Sequence, residues 1–193
     1  MGKLKIKKSD WYAIPNILGY IRLLLIPLFV WRYLTASTSL EFYTAALIVA
    51  ISSLTDMLDG KIARKYNAIT ELGKIIDPIA DKFTLCAILV CFTIRYEKAF
   101  IILLALFMVK ELSMGLLSLV LLNKGKKLDG AKWFGKFATA LIDVIVVLLL
   151  LFPNISPNII YIAIFIMGAV MFFAFIMYTY TLLKMLVGLF KTK

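Results

Sequence analysis

The chain has 193 residues, of which 63% are hydrophobic and only 17% are charged, and its mean hydropathy is +0.96. A soluble domain has roughly half apolar and about a quarter charged residues, so this composition indicates an integral membrane protein with a single domain over residues 1–193. The net charge of +11 is spread over separate segments rather than gathered on one face, which argues against a nucleic-acid partner.

Residues 1–12 are basic and then aromatic, which predicts a short amphipathic segment lying on the membrane surface. Trp11 and Tyr12 are expected at the level of the lipid headgroups. From Ala13 onward the chain contains six apolar stretches, each long enough to cross a bilayer. They predict an all-α bundle of six transmembrane helices within residues 13–190, with spans at 13–34, from 42 into the acidic stretch 56–81, and at 73–94, 99–122, 133–152 and 159–187.

Basic residues alternate along the connections between these spans. They are frequent before the first span, in the predicted polar loop 61–74, in the segment 124–136 and near residue 193, whereas the intervening connections hold only Arg32, Arg95 and Lys98. The positive-inside rule therefore predicts that both termini are cytoplasmic. The same rule places the acidic stretch 56–81 at the cytoplasmic ends of the second and third spans of a multi-pass protein of the cell membrane.

The stretch 56–81 carries two pairs of aspartates. Asp56 and Asp59 are three residues apart and Asp77 and Asp81 are four apart, so each pair is expected on one face of a helix. Carboxylates that face one another in apolar surroundings repel strongly unless cations hold them together. Oxygen-only ligands favour hard cations such as Mg²⁺ or Mn²⁺, and four carboxylates can hold two ions, an arrangement suited to phosphoryl transfer.

Other residues of the stretch suit an anionic ligand. Gly60 and Gly73 flank the loop between the aspartate pairs and would let the backbone approach a bulky anion. Arg64, one helical turn beyond Gly60, could pair with a diphosphate. The chain has no histidine, which excludes a Ser-His-Asp triad and leaves carboxylates as general bases. A purely structural charge network is the alternative, although an apolar contact would join two helices more simply.

The stretch also carries a family signature, D-x2-D-G-x2-A-R-x8-G-x3-D-x3-D. Its eight positions are filled by Asp56, Asp59, Gly60, Ala63, Arg64, Gly73, Asp77 and Asp81. In this pattern the chain resembles the CDP-alcohol phosphotransferase family of membrane enzymes. The resemblance extends over most of the chain and implies six transmembrane helices, a homodimer, and an active site that opens to the cytoplasm. It also implies a nucleotide-activated donor, most often CDP-diacylglycerol.

The resemblance implies a role for each signature residue. Asp56, Asp59 and Asp77 would bind the two metal ions. Asp81 would contact the second ion and act as the general base that takes a proton from the acceptor hydroxyl. The wall for the CDP moiety would be formed by Gly60, Ala63, Arg64 and Gly73. The acceptor alkoxide would then attack the phosphorus that carries the lipid alcohol, and CMP would leave.

Two further segments, IPNILGYIRLLLIP and ELGKIIDPIADK, resemble those of phosphatidylglycerophosphate synthases. Those enzymes use glycerol 3-phosphate as acceptor, and its phosphate calls for a basic pocket. The candidates in this chain are Arg22, Lys110 and Lys136. A basic residue at membrane depth needs an anionic partner, so a salt bridge across helices to Glu111 or Asp143 is the alternative for Lys110.

The chain departs from the synthase pattern at two positions. Ala138 stands where those enzymes commonly have a second lysine, and Lys110 stands where they usually have arginine, which removes a fork-shaped phosphate ligand. These changes keep a cardiolipin synthase that uses phosphatidylglycerol as an alternative, and they favour serine or inositol phosphate less as acceptor.

Membrane prenyltransferases also pair aspartates around a magnesium diphosphate, but on helices far apart in sequence. A cation transporter would carry its acids nearer the midplane.

Overall fold

The computed structural model describes residues 7–66, 68–123 and 133–190, and over these ranges the chain forms six α-helices. Two 3₁₀-helices, Lys8–Tyr12 and Glu97–Phe100, accompany them. The α-helices are α1 (Ile14–Leu34), α2 (Ser39–Lys65), α3 (Gly73–Arg95), α4 (Ile101–Asn123), α5 (Trp133–Leu151) and α6 (Pro157–Phe190). The predicted all-α class is confirmed, because every predicted stretch is helical in the structure.

Within the described ranges, five helices are long and apolar enough to cross a membrane, namely α1, α2, α4, α5 and α6. The remaining helix, α3, has 23 residues, and charged side chains interrupt its first half at Lys74, Asp77, Asp81 and Lys82. The helices are those of a multi-pass membrane protein. A sixth span at α3 and the cytoplasmic position of both termini stay predictions.

The polar loop predicted at 61–74 is shorter in the structure. Helix α2 continues to Lys65, because lysine, alanine and arginine are favourable helix residues and nothing in that segment ends a helix. The N–H of Tyr66 closes the helix by donating to the carbonyl of Ile62 at 3.0 Å. Of the predicted surface segment 1–12, residues 7–12 are described, and Trp11 and Tyr12 are exposed. Their position at the lipid headgroups stays a prediction. The basic segment 124–132 lies outside the described residues.

The first compact unit consists of the chain through Arg95 together with residues 150–153. In this unit α1 packs against both α2 and α3. An aromatic cluster centred on Tyr33 joins the three helices: the Tyr33 ring centroid lies 5.6 Å from that of Phe29, 5.4 Å from that of Phe42 and 5.8 Å from that of Phe92. Side chains of α1 can therefore reach residues of α2 and α3 at once.

The second compact unit consists of residues 96–149 and 154–190. Here α4 packs against α6, and the Phe134 ring of α5 lies edge-on to Tyr178 of α6 at 4.7 Å between centroids. Gly168 of α6 faces Leu103 of α4, where an added β-carbon would lie 3.3 Å from a leucine methyl. The single domain predicted over residues 1–193 stays a prediction.

The close approach of α1 and α3 depends on Gly19. A β-carbon at this position would lie 2.7 Å from Cγ2 of Ile76, which is nearer than two carbon atoms approach without a shift. Both residues are buried. The missing side chain therefore brings α3, with its aspartates, against α1.

Replacing Gly19 by leucine is expected to lower the stability of the protein by about 1–3 kcal/mol, because the larger side chain must displace Ile76 and separate the helices. The thermal unfolding midpoint in detergent measures this loss. Gly115→Leu on α4 is the matched control, since an added β-carbon there meets nothing within 4 Å. Equal midpoints for the two variants would contradict the packing role of Gly19.

Candidate active site

The two aspartate pairs meet around the guanidinium group of Arg22. Asp56 and Asp59 reach it from α2, and Asp77 and Asp81 reach it from α3. Nη1 of Arg22 donates to Oδ1 of Asp56 and to Oδ1 of Asp81, the latter at 2.6 Å. Nη2 of Arg22 donates to Oδ2 of Asp59 at 2.9 Å and to Oδ1 of Asp77 at 3.4 Å. One buried cation of α1 thus holds four carboxylates from two other helices.

The cluster of Arg22 and the four aspartates has a buried floor and an open rim. The side chains of Arg22 and Asp59 are 2% and 4% exposed. Those of Asp56, Asp77 and Asp81 are 48%, 46% and 60% exposed. A ligand can therefore approach the three rim carboxylates from outside, while the floor stays shielded from solvent.

The chemistry of these four carboxylates fits a hard divalent cation, because their ligand atoms are all anionic oxygens. Among the residues that the structure describes, however, no group of three or more aspartate, glutamate, cysteine or histidine side chains is already arranged to hold a metal ion. The four carboxylates instead surround the guanidinium group of Arg22. Metal binding by Asp56, Asp59, Asp77 and Asp81 stays a prediction, and it would draw on oxygens that Arg22 contacts.

A second polar cluster fixes the start of α3 beside α1. Nδ2 of Asn16 donates to the carbonyl of Asp10 at 2.5 Å and to Oγ1 of Thr70 at 2.9 Å. Oγ1 of Thr70 also accepts a hydrogen bond from the N–H of Gly73 at 2.9 Å, which caps the first turn of α3. Asn16 is 1% exposed. These bonds locate the first turn of α3, and Asp77 follows one turn later.

Gly73 has a packing role in this cluster. A β-carbon at Gly73 would lie 2.7 Å from Oδ1 of Asn16, so no larger residue fits without moving the amide. The family signature suggests a place for Gly73 in the CDP wall, and the two roles are compatible. Sequence reasoning missed Asn16, although an amide within an apolar span is a signal, since a buried amide needs hydrogen-bond partners.

The other residues expected at the CDP wall follow Asp59 on α2. Gly60 and Ala63 are partly exposed there. The backbone of Arg64 continues the helix, and its side chain lies outside the described part of the chain. The nucleotide-binding role of these residues stays a prediction.

The residues expected to bind the acceptor lie on different elements. Lys110 of α4 pairs with the adjacent Glu111, with 2.8 Å between Nζ and Oε1. The sequence offered a salt bridge across helices as the alternative for that lysine, whereas this pair lies on one helix. Lys136 of α5 is exposed, and both lysines belong to the second unit. Arg22 belongs to the first unit, where it contacts the aspartates. The acceptor-binding role of all three stays a prediction.

Comparison with known proteins identifies the type of enzyme. The family model described as CDP-alcohol phosphatidyltransferase matches residues 12–181, a range that contains Arg22 and all four aspartates. The CDP-diacylglycerol–glycerol-3-phosphate 3-phosphatidyltransferases of Escherichia coli (strain K12) and of Shigella flexneri serotype 5b (strain 8401) are each 34% identical over 162 residues, which cover 83% of this chain and 88% of each relative. The chain therefore belongs to the CDP-alcohol phosphatidyltransferase family of enzymes.

Proposed function

We propose that the protein transfers a phosphatidyl group from CDP-diacylglycerol to glycerol 3-phosphate and releases CMP. The observation that carries this proposal is the convergence of four aspartates on Arg22, where Asp59 is buried and the other three carboxylates are about half exposed. The names of the relatives at 34% identity supply both substrates. We expect the enzyme to act as a homodimer in the cell membrane, with this site open to the cytoplasm.

Asp56, Asp59, Asp77 and Asp81 would hold two divalent cations, Mg²⁺ or Mn²⁺. When bound, such ions neutralise the negative charge of a diphosphate and of the departing phosphate. The aspartates come from two helices that both pack on α1, so the site is set by helix packing rather than by a mobile loop. This favours precise placement of the reacting groups.

The residues that follow Asp59 on α2 would receive the nucleotide. Gly60 and Ala63 have small side chains and are partly exposed, so they leave room for the CDP moiety beside the cluster. Gly73 at the start of α3 would complete this wall. Arg64 would pair with the diphosphate through its planar guanidinium group.

Asp81 would be the general base. It is the most exposed carboxylate of the rim, at 60%, and so is the one that an incoming hydroxyl group meets first. The proton of that hydroxyl passes to a carboxylate oxygen of Asp81. The acceptor oxygen attacks the phosphorus that carries diacylglycerol, the bond from that phosphorus to the bridging oxygen breaks, and CMP leaves with the electron pair.

Glycerol 3-phosphate needs positive charge at its phosphate, and Arg22, Lys110 and Lys136 are the proposed sources. The pairing of Lys110 with Glu111 partly neutralises one of them. Together with Ala138 at the position of an expected lysine, this pairing favours phosphatidylglycerol as the second candidate acceptor, with a cardiolipin-type product. Serine and inositol phosphate rank below both.

A panel of acceptors tests the proposal. Purified protein with CDP-diacylglycerol and Mg²⁺ is given glycerol 3-phosphate, phosphatidylglycerol, serine or inositol phosphate, and CMP release is measured. We expect release with glycerol 3-phosphate at a rate at least about ten-fold above any other acceptor, the factor expected when one charged contact is specific to that substrate. Release that is fastest with phosphatidylglycerol would assign the second candidate function instead.

A further inference from the structure

One guanidinium group serves all four aspartates of the proposed metal site. Each carboxylate offers Arg22 one oxygen, and both terminal nitrogens of Arg22 are used twice. From this arrangement we propose that Arg22 is a positioning residue that competes with the divalent cations for the same carboxylates, and thereby sets how tightly the site binds metal. The inference rests on the proposed function in one respect, the binding of metal by these aspartates.

The positive charge of Arg22 keeps the four carboxylates of the cluster together. Arginine keeps its positive charge at any accessible pH, and this side chain is 2% exposed. A buried cation is stable only beside anions, and four neighbouring carboxylates are stable only beside a cation. The Nε atom of Arg22 is buried without a hydrogen-bond partner, so the aspartates supply the hydrogen bonds that the structure gives this guanidinium.

The same contacts oppose metal binding. A Mg²⁺ ion requires oxygens at about 2.1 Å in an octahedral arrangement. The four carboxylates surround the planar guanidinium group of Arg22, and within the described residues they are not arranged as the ligands of an ion. To converge on an ion, the rim carboxylates must give up hydrogen bonds to Arg22. Any ion that binds beside the guanidinium also experiences its positive charge, which lowers the affinity further.

The exposure of the side chains indicates which carboxylates can leave Arg22 to bind a metal ion. Asp56, Asp77 and Asp81 are about half exposed and can turn toward an ion that approaches from the rim. Asp59 is buried with Arg22 at 2.9 Å and is expected to keep this contact. Arg22 thus keeps its contact with Asp59, while its hydrogen bonds to the three exposed aspartates are replaced by contacts of those aspartates with the ion.

A purely structural role for Arg22 predicts the opposite sign. If the guanidinium only braced the ligands in the geometry that metal needs, its loss would scatter the carboxylates and weaken metal binding. If it competes with the ions, its loss strengthens metal binding and makes the protein depend on the ions for stability. The direction of the change in metal affinity therefore separates the two roles.

The experiment measures Mn²⁺ binding by electron paramagnetic resonance, and thermal unfolding with and without Mn²⁺, on the full-length protein in detergent. The variants are Arg22→Gln, which removes the charge, and Arg22→Lys, which keeps the charge without the fork. Arg32→Gln is the matched control, because it removes a positive charge from the same helix at a residue that contacts Thr44 and Glu41.

We expect Arg22→Gln to bind Mn²⁺ about ten-fold more tightly than the wild type, because it removes one positive charge beside the ion in a partly buried site. Its unfolding midpoint should fall in chelator and recover with Mn²⁺. The affinity of Arg22→Lys should lie between those of Arg22→Gln and the wild type, and that of Arg32→Gln should equal the wild type.

An affinity of Arg22→Gln that is weaker than the wild type, or within about three-fold of it, overturns the competition. If Arg22→Gln cannot be purified, Arg22→Lys decides, and an affinity equal to or weaker than that of the wild type overturns the competition. A wild-type protein that binds no Mn²⁺ would instead refute the metal role in the proposed function. Neither result depends on which acceptor the enzyme uses.

Discussion

Replacing Asp81 by asparagine is expected to lower the rate of CMP release by about 10²-fold or more, the usual contribution of a positioned general base. Asparagine has the same size and keeps an oxygen that can accept the hydrogen bond from Nη1 of Arg22, which Asp81 accepts at 2.6 Å. It cannot accept a proton from the acceptor hydroxyl. The loss should therefore appear in the rate, with little change in the thermal unfolding midpoint.

Glu71→Gln is the matched control for Asp81→Asn. Glu71 is also an acidic residue of the same region, and its exposed carboxylate pairs with Lys74 at 2.5 Å outside the cluster. Its neutralisation should leave CMP release close to that of the wild type, because an exposed pair of this kind contributes little. If Asp81→Asn retains a rate within a few-fold of the wild type, Asp81 is not the base.

Removing divalent cations is expected to lower CMP release by about 10³-fold or more, since such ions contribute several kcal/mol to the stabilisation of a phosphoryl transition state. Four carboxylates and one guanidinium give the site a net negative charge, which repels the diphosphate of the donor. Activity should return when Mg²⁺ or Mn²⁺ is added. A steady-state CMP assay with a chelator measures both the loss and the recovery.

The control for this experiment is the same chelator saturated with Mg²⁺ beforehand, which should leave the rate unchanged. A chelated enzyme that keeps more than about a tenth of its activity would contradict metal-dependent catalysis at these aspartates.

Much of the fold can be predicted from the sequence, because each helix here is a long apolar stretch between polar connections. The bounds of α1, for example, differ from the predicted span 13–34 by a single residue. The aspartate pairs could also be predicted, since spacings of three and four residues place side chains on one face of a helix. The family signature supplied the roles of individual residues, which spacing alone could not.

The contacts of Arg22 with the four aspartates could not be predicted in this way. Arg22 is separated by 34 residues from Asp56 and by 59 from Asp81, so their contact depends on how α1 packs against two other helices. The sequence indicated only that a buried cation needs an anion, and the phosphate of the acceptor was the anion expected. The packing of Gly19 against Ile76 and the bonds of Asn16 to Thr70 depend on the same tertiary arrangement.

The proposed function of this protein is to join a phosphatidyl group to glycerol 3-phosphate at the aspartate cluster. Its most direct test is the transfer of label from radioactive glycerol 3-phosphate into a lipid-soluble product by the purified enzyme with CDP-diacylglycerol and Mg²⁺. We predict that label enters the lipid phase in an amount equal to the CMP released, and that Asp81→Asn lowers this transfer by about 10²-fold or more. Release of CMP without incorporation of label, or full incorporation by Asp81→Asn, would contradict this function.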